Sequence, residues 1–252
     1  MTYPETALTK IKDGSDPINY PDTNWWNAVA KDWATNTEHS LAISGGNEKI
    51  SFYSSAQYMY QDVIYKNSPQ NYNQYQFSTN LDAKITKAIK FGFDILGRQT
   101  VDNRGVRTTE DLFSYFLTTS PMSAPYYPNG LLRTGYDGIT NNAVLMVSDL
   151  PGTSKTTNNT LNLKPKIRID LDVITPGLYA EGYAALDYTF NNGKTTNTPN
   201  DIYSYDSVSG EYTNQRDATG SVSVSSWSSN SSSITLNVRI GYSHLINNDH
   251  QK

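Results

Sequence analysis

Three carboxylates could do chemistry in this chain. Asp170 and Asp172 share one face of an alternating segment, and Asp187 stands on the next such segment. A pair of carboxylates at the right separation hydrolyses glycosides, one as acid and one as nucleophile or base. The competing use is a charged, wet face on which Lys164, Lys166 and Arg168 balance the acids. The three histidines, His39, His244 and His250, lie far apart in the chain and have no partner at ligand spacing. Cysteine is absent, which excludes thiol chemistry and Cys-based zinc sites. No G-x-S-x-G, H-E-x-x-H, P-loop or G-x-G-x-x-G occurs. Asn191-Asn192-Gly193-Lys194 reads as a turn, and no EF-hand spacing accompanies it. Tyr126 and Tyr127 precede Pro128-Asn129-Gly130 in a long polar connection, where they are candidates for contact with a ligand or partner. These residues assign no enzyme activity, no cofactor and no metal.

The elements that position these groups are strands. Strict period-2 alternation marks them. In 74–85, Tyr75, Phe77, Thr79, Leu81, Ala83 and Ile85 take one face and Gln74, Gln76, Ser78, Asn80, Asp82 and Lys84 the other. In 160–173, Leu161, Leu163, Ile167, Ile169, Leu171 and Val173 oppose Asn162, Lys164, Lys166, Arg168, Asp170 and Asp172. In 232–242, Ile234, Leu236, Val238 and Ile240 oppose Thr235, Asn237 and Arg239. Weaker alternation covers 49–61, 89–98 and 178–190, and a further strand ends near Ser44. These segments exceed the ~5–6 residues of an ordinary strand and match the ~9–11 of a tilted transmembrane one.

The connections alternate in length. Gly45-Gly46, Thr86-Lys87-Ala88 and Thr175-Pro176-Gly177 are tight turns, while 62–73, 98–159 and 191–231 are long and polar. Short turns at one end and long loops at the other are the rhythm of an outer-membrane barrel. The expected fold is therefore all-β: a long antiparallel meander of about seven strands, part of a transmembrane β-barrel wall, with short helices in its loops. A soluble antiparallel sheet alternates in the same way, so a carbohydrate-binding β-sandwich is the alternative. Within the last loop, 201–206 and 211–213 predict a small hairpin. A helix is expected over 22–35, with Trp26, Val29 and Trp33 on one packed face, and another over 109–117. The tract 221–233 is nearly all Ser around Trp227 and reads as low-complexity and mobile.

Composition narrows the class. The chain has 252 residues, 17% charged and 12% aromatic, with 19 Tyr and a formal net charge of −4. That charge argues against nucleic-acid binding. Met1 to Thr6 is polar, with no apolar region of a signal peptide.

Several motifs, in order, resemble one family. They begin with Leu8 to Gly14, Asp16-Pro17, Tyr20-Pro21 and Asn24-Trp25-Trp26. His39 to Lys49, around Gly45-Gly46, follows, and then Tyr75 with Asn80-Leu81-Asp82, where Gln74 stands in place of a common Arg. The long-loop residues Leu112-Phe113, Pro121, Ala124-Pro125 and Asn129-Gly130 come next, and then Ile174 to Leu178. Over about 5–190 this run resembles SusC/RagA-like TonB-dependent outer-membrane transporters; the last third matches only in strand texture. The resemblance implies a 22-stranded barrel around a plug, a SusD-like surface lipoprotein as lid, the TonB complex as energy source and import of glycans or peptides. It places the protein in the outer membrane of a Gram-negative bacterium, and 1–252 becomes an internal part of the barrel domain. The plug, the signal peptide and the remaining strands would then lie outside this sequence, and 98–159 and 191–231 would be its extracellular-type loops. Lys164, Lys166, Arg168, Asp170 and Asp172 would line the lumen. Phe77, Leu81, Ile167, Ile169, Leu171, Leu236 and Val238 would face lipid.

Overall fold

A computed structural model describes residues 4–106, 119–134, 142–216 and 220–243, together with Leu112 and Tyr115. Seven strands form one antiparallel sheet in the order β1-β2-β3-β4-β5-β6-β9. They are β1 Asn36–Gly46, β2 Ile50–Asp62, β3 Asn71–Lys84, β4 Ile89–Gly105, β5 Gly152–Asp170, β6 Leu178–Asn197 and β9 Ser223–Tyr242. A separate hairpin pairs β7 Ile202–Tyr205 with β8 Tyr212–Arg216. Among the described residues β1 and β9 pair on one side only, so the sheet is open. Among the described residues no second large sheet packs on it, and the sandwich alternative is not met.

The tight turns close by local chemistry. Asn47 Oδ1 accepts the backbone N–H groups of Lys49 (2.8 Å) and Ile50 (3.0 Å), so the turn is built on Asn47 and leaves Gly45-Gly46 in β1. Thr86 Oγ1 accepts from Ala88 and Ile89 at 3.2 and 3.0 Å. Between β5 and β6, Asp172 accepts the Gly177 N–H at 2.7 Å. Gly177 has φ +87°, and a Cβ there would stand 2.0 Å from the Ser243 carbonyl oxygen, so only glycine fits.

Several strands outrun their expected ends. β4 continues to Gly105, β5 begins at Gly152, β6 continues to Asn197 and β9 begins at Ser223. The long connections shrink accordingly, to 106–151 and 198–222. Apart from Val101, Val224 and Trp227 the extensions are polar on both faces, so hydrophobic alternation is silent there while the backbone ladder continues. The Ser-rich tract is paired strand rather than mobile chain: Ser223 to Ser233 oppose Asn197 to Asp187 residue by residue. Asn191 to Lys194 lie inside β6 and make no turn. In the other direction, β5 stops at Asp170, which places Leu171 and Asp172 in the turn rather than in mid-strand.

The packed core sits at the loop end. Trp25, Val29, Tyr65, Leu112, Ala143, Met146 and Val147 form one cluster, and Leu132, Leu145 and Ile202 another. Helices α1 Glu5–Asp13, α2 Trp25–Val29 and α3 Ala143–Val147 belong to this cap region or its approach. The helix expected over 22–35 is only α2, capped by Asn24, whose side chain accepts the Asn27 N–H at 3.0 Å. It ends because Lys31 N–H donates to Ile64 O, drawing the chain into an extended course. The packed tryptophan is consequently Trp25 (6% exposed), whose Nε1 donates to Ser120 O at 3.0 Å; Trp26 (55%) and Trp33 (74%) are exposed. The helix expected over 109–117 lies outside the described residues except for Leu112, which is fully buried, and Tyr115.

Candidate functional site

Register sorts every side chain of the wall. Residues opposite one another in an antiparallel ladder share a face. Arg168 opposes Lys90 on β4 and Glu181 on β6, and Glu181 opposes Arg239 on β9. Lys164 opposes Asp94, which in turn opposes Asn80. One face is therefore charged across β3, β4, β5, β6 and β9. The other carries Phe77 and Leu81 on β3, Phe91, Phe93 and Ile95 on β4, Leu161, Leu163, Pro165, Ile167 and Ile169 on β5, and Leu236 and Val238 on β9. On β5 this apolar stretch covers 161–169. That is about 26 Å along the strand, and roughly 20 Å along the barrel axis at a ~40° tilt, close to the ~25 Å apolar band of outer-membrane barrels. Its residues are exposed in this sheet; Ile167 is 46% and Leu236 74% accessible.

On the charged face the turn end holds an ionic lattice. Asp170 accepts from Lys90 Nζ and from Arg168 Nε, both at 2.9 Å. Arg168 also reaches Glu181 at 3.4 Å, and Glu181 takes Arg239. Lys166 donates to Asp94 at 2.9 Å, lying across Gly92, where a Cβ would come within 2.7 Å of its Cε. Arg168 stacks 3.7 Å from the Tyr179 ring centroid, and Lys164 lies 4.3 Å from that of Tyr183. This lattice borders a cleft of about 620 Å³, lined by Asp82, Lys90, Lys166, Arg168, Glu181 and Arg239 among others. The groups are partly solvated, so each pair contributes at most ~1 kcal/mol to stability. Their effect is a rigid surface of alternating charge.

Of the expected residues, Lys164, Lys166, Arg168 and Asp170 lie together on this face. Asp172 does not; its carboxylate closes the turn. Lys90, Asp94, Tyr179, Glu181 and Arg239 complete the lattice. No local signal marks them, because their membership follows from the register between strands.

Asp170 and Asp187 do not form a hydrolytic carboxylate pair. Asp187 opposes Asn162, eight residues along β5 from Asp170, or ~26 Å, against the ~5–9.5 Å a carboxylate pair needs. Asp170 is engaged by two cations, and Asp187 is held by Asn162 and Ser233. Among the described residues no three His, Cys, Asp or Glu are grouped to hold a metal. No described helix is long and apolar enough to cross a membrane, which says nothing of strands.

The loop candidates divide. Tyr127 is buried at the loop end, with ring contacts to Tyr205 (6.3 Å) and Tyr212 (5.0 Å), and Arg133 stands over it at 5.1 Å. Burial pushes its phenol above the ordinary value. Tyr126 is exposed.

No family model matches the chain. It is 31% identical over 81 residues to the TonB-dependent receptor P26 of Formosa agariphila, a match covering 32% of this chain and 8% of that receptor. Its fold is similar to that of the RagAB peptide transporter, with a TM-score of 0.57 and 22% identity over 76% of this chain and 21% of the other. The RagAB peptide importer in its "open-open" state aligns with a TM-score of 0.56 and 21% identity, over 77% of this chain and 24% of the other. The chain thus spans under a quarter of these proteins. It is similar to a stretch of SusC/RagA-like TonB-dependent barrel wall, in agreement with the sequence motifs. The relatives are named as a receptor, a transporter and an importer, and none as an enzyme.

Proposed function

We propose that this chain forms part of the barrel wall of a TonB-dependent importer in the outer membrane of a Gram-negative bacterium. The observation that carries this reading is one sheet with two faces. One face is continuously apolar over a membrane-sized height, and the other is an ionic lattice that requires water. In this reading Lys164, Lys166, Arg168 and Asp170 line the lumen, and Phe77, Leu81, Ile167, Ile169, Leu236 and Val238 face lipid. Leu171 and Asp172 sit at the periplasmic border, and the hydrophobic cap with Tyr126 stands outside the cell. Residues 1–252 belong to one barrel domain. A SusD-like lipoprotein closes the lumen from above and the TonB complex drives transport, as in the transporters that the motifs resemble. The cargo is an oligosaccharide or a peptide. The similarity to RagAB, a peptide importer, supports a peptide, while the Gln, Asn, Ser and Thr of the lumen wall can hydrogen-bond either class.

This stretch holds no cysteine, so a cysteine introduced here can be labelled alone once any lying elsewhere in the whole protein are replaced. Single cysteines are placed in the whole protein at Phe77 and Leu236, and at their neighbours Gln76 and Asn237. In intact outer membranes a water-soluble maleimide should label Gln76→Cys and Asn237→Cys and spare Phe77→Cys and Leu236→Cys. Equal labelling of both sets would refute the wall. Uptake of labelled oligosaccharide and peptide pools, with and without an energised TonB system, then separates the two cargo classes.

A further inference from the structure

We infer that the apolar face holds one anionic, acylated lipid of the outer leaflet, its chain in a notch over Gly97 and its phosphate-bearing headgroup on Lys155 and Lys194. The inference rests on the membrane-wall reading above.

The notch is a gap in an aromatic row. At the loop end of the apolar band, β3 presents Tyr75 and Phe77 and β6 presents Tyr188 and Phe190. Between them, β4 and β5 present Gly97, Gln99, Leu161 and Asn159 on the same face. The two aromatic strands stand three strand spacings apart, about 14 Å. Beyond Gly97 and its two chain neighbours, no atom lies within 4 Å of the point where a Gly97 Cβ would be. A depression of about 720 Å³ takes in Gly97 and extends past Tyr75 and Phe77 to Leu41 on β1, and one of about 440 Å³ lies between Leu161, Tyr188 and Phe190; the two meet at Asn159 and Thr160. In hydrocarbon such a depression is filled: a void forfeits dispersion contacts, and the Asn159 amide at the junction is already paired with Gln99 and with the Phe190 carbonyl, which leaves it little to offer water. The available filler is an acyl chain.

The headgroup site is a second, independent feature. Lys155 and Lys194 oppose each other directly across β5 and β6, on the same face as the notch. Like charges in direct opposition destabilise a sheet. Neither forms an ion pair with a described residue, and both are exposed. Neighbouring positions on that face, Val101, Asn103, Thr157, Asn192 and Ser226, are neutral. Lys155 lies four residues beyond Asn159, about 13 Å along the strand, and a lysine stem reaches back over part of that distance. A phosphate just above the hydrocarbon boundary meets both ammonium groups while its chain descends over Gly97. Gln99, whose Nε2 donates to Asn159 Oδ1 at 2.8 Å, forms the polar sill between them.

The test uses the intact protein containing this chain, reconstituted in nanodiscs of phosphatidylcholine with a minor fraction of phosphatidylglycerol of identical chains. Lipids retained on release are counted by native mass spectrometry. Two lysines near the headgroups should favour the anionic lipid by roughly thirtyfold. Lys155→Ala/Lys194→Ala should abolish that preference while a lipid is still retained. Gly97→Trp should abolish retention of either lipid, whereas Leu163→Trp, in the band but outside the notch, should keep it. Heat-modifiable gel mobility reports folding of each variant. A folded, membrane-inserted protein without anionic preference, or one whose Gly97→Trp variant retains lipid as before, overturns the lipid site alone. Recovery in the aqueous fraction overturns the wall and this site together.

Discussion

Ile167→Arg tests the two-faced wall most directly. Ile167 lies on the apolar face of β5, in register with Phe91 on β4 and Gly182 on β6. The band on β5 runs from Leu161 to Ile169 and is centred on Pro165, so Ile167 is two residues from its middle. That is about 6.6 Å along the strand, and about 5 Å along the membrane normal at a ~40° tilt. Arginine on the lipid face costs ~2–4 kcal/mol at the midplane and ~0–1 near the interface. At this depth the expected cost is about 1–3 kcal/mol. Lys164→Arg, on the charged face of the same strand, should change stability by under about 0.5 kcal/mol. Leu171→Arg should cost no more than about 1 kcal/mol, because β5 ends at Asp170 and Leu171 stands at the border. The assay is reversible denaturant unfolding of the intact barrel in vesicles, read by protease protection and gel mobility. Equal midpoints for Ile167→Arg and Lys164→Arg would refute the assignment of faces. An Ile167→Arg cost no larger than that of Leu171→Arg would refute the depth scale.

Trp25→Ala should destabilise the loop-end cap by about 3–5 kcal/mol, against under about 0.5 for Trp26→Ala, read by hydrogen exchange of the cap amides. Gly177→Ala should cost at least about 2 kcal/mol, since its Cβ would strike the Ser243 carbonyl, whereas Gly130→Ala, at φ +84° with open space, should cost about 1 kcal/mol; unfolding midpoints distinguish them. In the β7–β8 hairpin the Val208 N–H, at 2.8 Å, holds the Asp206 carboxyl below the usual carboxylate range. Because the folded value is the lower one, its stabilisation is present above the ordinary carboxylate pKa of ~3.9 and is lost as pH falls through the folded value. Amide exchange at Val208 should therefore accelerate in that acid window, and Asp206→Asn should flatten the response.

Much of this architecture was legible in the residue order. Alternation in 74–85 and 160–173 located the strands and their apolar sides, because a one-residue slip would exchange the faces. Thr86, Gly177 and the tract before Gly210 announced turns through their own hydrogen bonds and dihedrals. Strand ends were less legible. From Lys155 to Asn159, and over most of Ser223 to Ser233, the side chains themselves are polar on both faces, so the pattern carries no period although the ladder continues. The choice of Trp25 over Trp26 as the packed ring was likewise hidden. It depends on Ile64 and Ser120, remote partners that end the helix and receive the indole N–H.

By itself the amino-acid order determined that the chain is a long antiparallel meander with one apolar and one charged side, since period-2 patterning is local and binary. Only the tertiary structure decided which charges meet. Lys90, Asp94, Glu181 and Arg239 join Arg168 and Asp170 through the register of four strands, and register is set by turn geometry and by pairing between segments up to about eighty residues apart. The same register brought Lys155 against Lys194 and left Gly97 bare between two aromatic columns, juxtapositions that no single strand encodes.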